Sequence, residues 1–177
     1  MNEWIKSDLL RYSGGVRVYD FCKTYLLNPS FRFQVAFRLV KSSSMIVRVI
    51  GRILWLLRDR NRFQISRNTN IGYGLYIGHN GPVIVNDTAI LGNNVNLSQF
   101  VTIGSNKGAA AVIGDEVYIG PNVCIVDNVN IGSCVTIGAG AVVVKDVPNG
   151  VTVAGNPAKI ISTKNHGEFI KNKFICS

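Results

Sequence analysis

The stretch IGDEVYIGPNVCIVDNVNIGSCVTIGAGAVV, residues 113–143, carries a branched aliphatic residue at every sixth position: Ile113, Ile119, Ile125, Ile131, Ile137 and Val143. The same beat runs upstream through Ile65, Ile71 and Ile77, and again through Leu91, Leu97 and Ile103. Glycine follows most of these anchors directly, as at Gly72, Gly92, Gly114, Gly120 and Gly138. A period of six belongs neither to a helix nor to a plain strand. Three such units make one triangular turn of a solenoid, with anchors pointing inward and short parallel strands stacked about 4.8 Å apart. Roughly five coils fit between Ile65 and Ala154, a stack about 24 Å tall. The expected fold class is therefore mainly β, and the corner glycines are expected to supply positive φ.

Working outward, residues 1–62 read as a short N-terminal helical segment, broken at Gly14-Gly15 and at Asn28-Pro29. Its clearest part runs from Met45 to Leu57, where Ile46, Val49, Ile50, Ile53, Leu56 and Leu57 share one helical face and Lys41, Arg48 and Arg52 the other. Residues 63–161 form the solenoid domain. Residues 162–177 read as a polar, basic tail, frayed or disordered. The net charge of +9 is concentrated at the start: residues 1–64 hold 12 Lys and Arg against 4 acids, residues 65–177 only 7 against 6. The basic segment has two readings. Its apolar face packs on a neighbouring subunit or on the solenoid, the favoured one, or residues 41–60 make peripheral contact with an anionic membrane. Nucleic acid is disfavoured because no recognition module accompanies the charge.

The four cysteines form no CxxC pair, and the two histidines exclude a three-histidine metal site in one chain. No metal is expected. Neither a secretory signal nor a membrane-spanning run is visible, so the expected location is cytoplasmic, either free or peripheral at the inner face of the membrane.

The beat fails twice. Eight positions separate Ile77 from Val85, and ten separate Ile103 from Ile113. Extra residues must leave a regular solenoid as loops, where function tends to sit. The first break carries Gly78-His79-Asn80-Gly81-Pro82 and the second Ser105-Asn106-Lys107-Gly108-Ala109-Ala110-Ala111.

The repeats, closed by Val143-Val144-Lys145-Asp146-Val147-Pro148 and Ala154-Gly155-Asn156-Pro157-Ala158-Lys159, resemble the hexapeptide-repeat acyltransferases over about residues 63–161. Gly74 to Ala89 and Gln99-Phe100-Val101-Thr102-Ile103-Gly104 resemble the serine acetyltransferase branch and its relatives in polysaccharide synthesis. The resemblance implies a left-handed parallel β-helix, assembly as homotrimers, and acetyl-CoA as co-substrate. It implies His79 as general base, with Asp87 or a backbone carbonyl orienting it. It also implies Ala139 against the pantetheine arm, Lys145 and Lys159 near the phosphates, and Gly120 at a corner close to the cofactor. Histidine suits the base role because it titrates near neutrality. His166, in the tail, is read as incidental.

The departures shape the expected acceptor. The second loop holds no histidine or arginine, Gly78 stands where the branch has aspartate, and Gln64-Ile65-Ser66 stands where it has Asp-Ile-His. They point to O-acetylation of a saccharide hydroxyl, as in capsule and exopolysaccharide O-acetyltransferases. The alternatives are serine O-acetylation, N-acetylation of an amino sugar, and a non-catalytic β-helix scaffold.

Overall fold

Four helices precede a three-sided solenoid in the computed structural model, which describes residues 1–106, 108–164 and 167–175. Helix α1 (Glu3–Ser13) starts at Asn2, whose side chain accepts from Trp4 N–H, and stops at Gly14 in left-handed backbone. α2 (Val18–Leu27) gives way at Asn28, which caps α3 (Pro29–Val40) by accepting from Ser30 and Phe31 N–H. α4 (Met45–Leu56) folds back on α3 at Gly51, where any Cβ would lie 2.5 Å from the Leu39 and Val40 backbone.

That contact overturns one half of the favoured expectation for α4, that its apolar face packs on the solenoid. The helix is buried through the opposite face, by Gly51 and Trp55, while Ile46 is 76% and Leu57 78% exposed. Backbone-to-backbone approach at a glycine outcompetes the broader aliphatic stripe. It lets Trp55 tilt against Phe33 and Phe37, with ring centroids 5.7 and 6.2 Å away.

The solenoid has three faces. The first stacks β1 (Phe63–Ile65), β4 (Val83–Val85), β7 (Thr102–Gly104), β10 (Cys124–Val126) and β13 (Val142–Val143). The second stacks β2 (Asn70–Ile71), β5 (Ile90–Leu91), β8 (Val112–Ile113) and β11 (Asn130–Ile131). The third stacks β3 (Tyr76–Ile77), β6 (Asn96–Leu97), β9 (Tyr118–Ile119), β12 (Thr136–Ile137), β14 (Thr152–Ala154) and the antiparallel β15 (Lys159–Ser162). Anchors meet anchors: on the first face Ile65, Val85, Ile103, Ile125 and Val143 lie in register, all buried. The core this builds is continuous with Phe33, Phe37 and Trp55, and Phe33 stacks on Phe63 at 4.8 Å, closing the upper end.

The glycines after the anchors do not serve positive φ. Left-handed backbone falls three positions past the anchor, at Gly74, Asn94, Phe100, Glu116, Asn122, Cys134 and Gly140. The glycine itself answers to its neighbours above and below. A Cβ on Gly92 would meet the Gly114 carbonyl carbon at 2.7 Å, and one on Gly120 would meet Ile137 O at 2.8 Å and Ala139 N at 2.9 Å. Stacked turns leave no room for a methyl there.

The third face is covered. Arg11 of α1 donates to Gly74 O (2.7 Å) and Lys171 O (2.8 Å). Burial pulls its guanidinium down to about 10. The segment 167–175 is docked, contrary to the expected frayed tail: Ile170 is buried, Phe169 lies 4.9 Å from the Tyr118 ring, and Lys173 pairs with Glu116 at 2.6 Å. The sequence reading missed these anchors because one apolar pair, Phe169-Ile170, and a lysine form no periodic pattern in a polar context.

The helical segment is fastened to the first coil by a buried ion pair. Arg38 donates to both oxygens of Asp8, at 2.8 and 3.0 Å, and to Ile71 O (2.9 Å) and Gly72 O (2.6 Å). Asp8 also accepts from Leu75 N–H at 2.9 Å.

Candidate active site

His79 stands at the corner between the third and first faces, two residues past the anchor Ile77, with φ of 59°. Regular corners reach left-handed backbone one position later, so the longer spacing to Val85 displaces the turn onto the histidine. A non-glycine residue there costs about 1–2 kcal/mol, and the surroundings must hold it.

Helices α1 and α3 provide that hold. Tyr12 Oη accepts from Ile77 N–H and donates to Ile77 O, both at 3.0 Å. Burial pushes its phenol well above 10, opposed by the hydrogen bond to Ile77, so the proton stays on Tyr12. Gln34 Nε2 donates to Leu75 O at 3.2 Å. Ser30 Oγ, in the first turn of α3, lies 3.3 Å from His79 O and 3.4 Å from Asn80 Oδ1. The strand leading to His79 and its own carbonyl are thus fixed, while the imidazole is exposed and bonded to no described residue. Sequence reasoning missed Ser30, Tyr12 and Gln34; each is a single polar residue within a helical run, and only the fold brings it to this loop.

The corners below His79 form one edge. Phe100 N–H donates to Pro82 O, Asn122 N–H to Gln99 O, Gly140 N–H to Pro121 O, and Val142 N–H to Gly155 O. Three rungs separate the His79 corner from Ala139, about 14 Å. Phe100 is 52% exposed between them, and Gln99 Oε1 is buried with no hydrogen-bond partner among the described residues. Ala139 is exposed, and nothing lies within 4 Å of a Cβ placed on Gly140, so this corner is open to a thin ligand. Lys159 continues the edge downward, in register with Ala154 and exposed.

Asp87 and Lys145 occupy the next edge, past the far ends of β4 and β13, and both are exposed. The three-residue β4 separates the Asp87 corner from that of His79, about 10 Å. Within one chain the structure does not bring Asp87 to His79. The second loop also leaves the solenoid on this farther edge, where Asp127 Oδ1 accepts from Asn106 N–H. Gly120 stands on the His79 edge, where its missing side chain answers to the next coil. His166, and Lys107 of the second loop, lie outside the described residues.

The family described as "Bacterial transferase hexapeptide (six repeats)" matches residues 110–145. Serine acetyltransferase 3, mitochondrial, of Arabidopsis thaliana is 40% identical over 100 residues, 54% of this chain and 26% of that protein. The serine acetyltransferase of Neisseria gonorrhoeae in complex with serine superposes with a TM-score of 0.67 at 31% identity, covering 88% of this chain and 67% of that one. The enzyme of Brucella abortus strain S19 in complex with coenzyme A superposes at 0.70 with 27% identity, covering 92% and 68%. The chain thus spans about a quarter of the Arabidopsis protein's length. These relatives overturn the expected kinship with capsule O-acetyltransferases and the saccharide acceptor inferred from the second loop. An empty loop was weighed above the repeats that carry the likeness.

Proposed function

Because this chain belongs to the hexapeptide-repeat transferases, we propose that it is an acetyl-CoA-dependent O-acetyltransferase whose acceptor is the hydroxyl of L-serine. The observation that carries the reading is the single edge running from His79, its backbone fixed and its imidazole exposed, to the open corner at Ala139. The acceptor is proposed from the serine acetyltransferases that this chain resembles in sequence and in structure.

Acetyl-CoA supplies an activated acyl group as a thioester. In this reading Ala139 borders its pantetheine arm, and Lys159 and Lys145 offset its phosphate charge. The His79 imidazole takes the proton from the serine hydroxyl as that oxygen attacks, and the proton is then available to the departing thiolate. Helices α1 and α3 keep the imidazole at the edge through Tyr12, Gln34 and Ser30. In one chain Asp87 is a full strand away from His79, so the proposal gives the orienting role to the backbone that Ser30 and Tyr12 fix. Lys145 and Ala139 lie on different edges of one chain. A ligand meeting both requires a neighbouring copy, and assembly as a homotrimer is part of the proposal.

The test is incubation of the full chain with acetyl-CoA and L-serine, following thiol release and the mass of O-acetylserine. We expect turnover with serine and a loss of ~10²–10⁴-fold in His79→Ala. Absence of O-acetylserine would refute the acceptor; unchanged turnover in the variant would refute the base.

A further inference from the structure

Helix α4 presents Ile46, Val49, Ile50, Ile53, Leu56 and Leu57 to solvent along the face turned away from Gly51 and Trp55. A continuous apolar stripe on a protein surface marks an interaction site. At 12 residues α4 is about 18 Å long. No helix among the described residues is long and apolar enough to cross a membrane.

The flanks of the stripe indicate its occupant. On one side Arg52, a turn from Val49 and Leu56, joins Lys41 and Arg67 around an open cleft of about 260 Å³. On the other, Arg32, Arg58 and Arg62 line a cleft of about 350 Å³ that reaches Leu57 and contains one carboxylate, Asp59. Asp59 is 3.4 Å from Arg62. Arg58 stacks on Trp55 at 3.7 Å and donates to Trp55 O, and its buried Nε has no acceptor among the described residues. Three guanidinium groups against one carboxylate leave this cleft with excess positive charge, which favours an anionic oxygen. Residues 41–67 hold seven Lys and Arg against one acid.

A second copy docked stripe to stripe would bring these cationic flanks against each other, which costs affinity. A bilayer of acidic phospholipid satisfies both features at once, with acyl chains for the stripe and phosphates for the clefts. We propose that α4 lies in the plane of an anionic phospholipid surface, its stripe in the acyl boundary and lipid phosphates in the two basic clefts beside it. This surface is independent of the transferase reading, and His79 has no part in it.

The test is co-sedimentation of the full chain with phosphatidylcholine vesicles, with and without phosphatidylglycerol. Binding is expected only with phosphatidylglycerol, and it should weaken as salt rises. Ile50→Glu with Ile53→Glu should lose roughly tenfold or more. Arg52→Glu with Arg67→Glu should lose about fivefold or more for each cation removed. Circular dichroism checks the fold, and Ile46→Ser, at a largely exposed position, serves if the double glutamate variant does not fold. The proposal is overturned if the wild-type chain ignores acidic vesicles, or if neither set of substitutions changes binding. It is also overturned if the stripe variants lower the oligomeric mass in sedimentation velocity, or if inorganic phosphate binds the chain and vesicles do not.

Discussion

Replacing Arg38 with methionine keeps most of the side-chain volume and removes the cation that faces Asp8. The carboxylate is 1% exposed, and its remaining hydrogen-bond partner among the described residues is Leu75 N–H. Leaving a buried charge unpaired costs about 3–5 kcal/mol. The variant has one escape, which is to protonate Asp8. At pH 7 that costs 1.36 kcal/mol for each unit above an ordinary aspartate value near 3.9, about 4 kcal/mol, and this caps the penalty. At pH 5 the cap falls to about 1.5 kcal/mol. Burial already pushes Asp8 upward in the intact protein, with Arg38 and Leu75 opposing it. Without Arg38 the folded-state value rises further above the unfolded one. The unfolded chain then binds fewer protons than the folded one, and the variant loses stability as pH rises from about 4 toward neutrality. Urea unfolding followed by tryptophan fluorescence should show the midpoint of Arg38→Met falling by about 2 M at pH 7, for a slope near 2 kcal/mol/M. The deficit should be less than half of that at pH 5. Asp8→Asn added to the variant should abolish the pH dependence. An equal deficit at both pH values would refute the claim that the buried carboxylate, and not lost hydrogen bonds to Ile71 and Gly72, dominates the cost.

Gly120→Ala forces a methyl to within 2.9 Å of the Ile137–Ala139 backbone, so overpacking should cost about 1–3 kcal/mol in thermal unfolding; an unchanged midpoint would contradict the crowding. Lys145→Glu and Lys159→Glu should each raise the KM for acetyl-CoA several-fold and leave that for serine near wild type; steady-state kinetics with either substrate varied distinguishes this from a general loss. Burial raises the Cys134 thiol above its usual range, and the Glu116 carboxylate beside it adds to the effect. Iodoacetamide at pH 8 should therefore label it more slowly than the exposed Cys22, and Glu116→Gln should accelerate it, as read by peptide mass spectrometry.

The coils were legible because each anchor answers to a single demand, inward burial once per side of the prism, and Ile113 to Val143 meet it without interruption. His79 was legible as an interruption of that rule. The reason for the glycines was not, because Gly92 and Gly120 look like turn residues until the coil above is in place. The burial of α4 was hidden for a related cause: Gly51 offers no hydrophobicity to count, yet it sets how near two backbones come. Ser30, Tyr12 and Gln34 were beyond reach, since each acts on a loop dozens of residues away in sequence. The acceptor was misread from the second loop, where missing residues say little about which molecule the remaining ones admit.

The closure of the solenoid's two ends has a consequence for its behaviour as a material. A stack of identical rungs has no intrinsic length, and an unprotected terminal coil is a template on which another chain can add. Phe33, Phe37 and Trp55 seal one end with aromatic rings, and the reversed β15 occupies the other with a strand of the wrong polarity for a further parallel rung. What appears as local decoration is thus a pair of stops that keep a fibre-forming architecture finite.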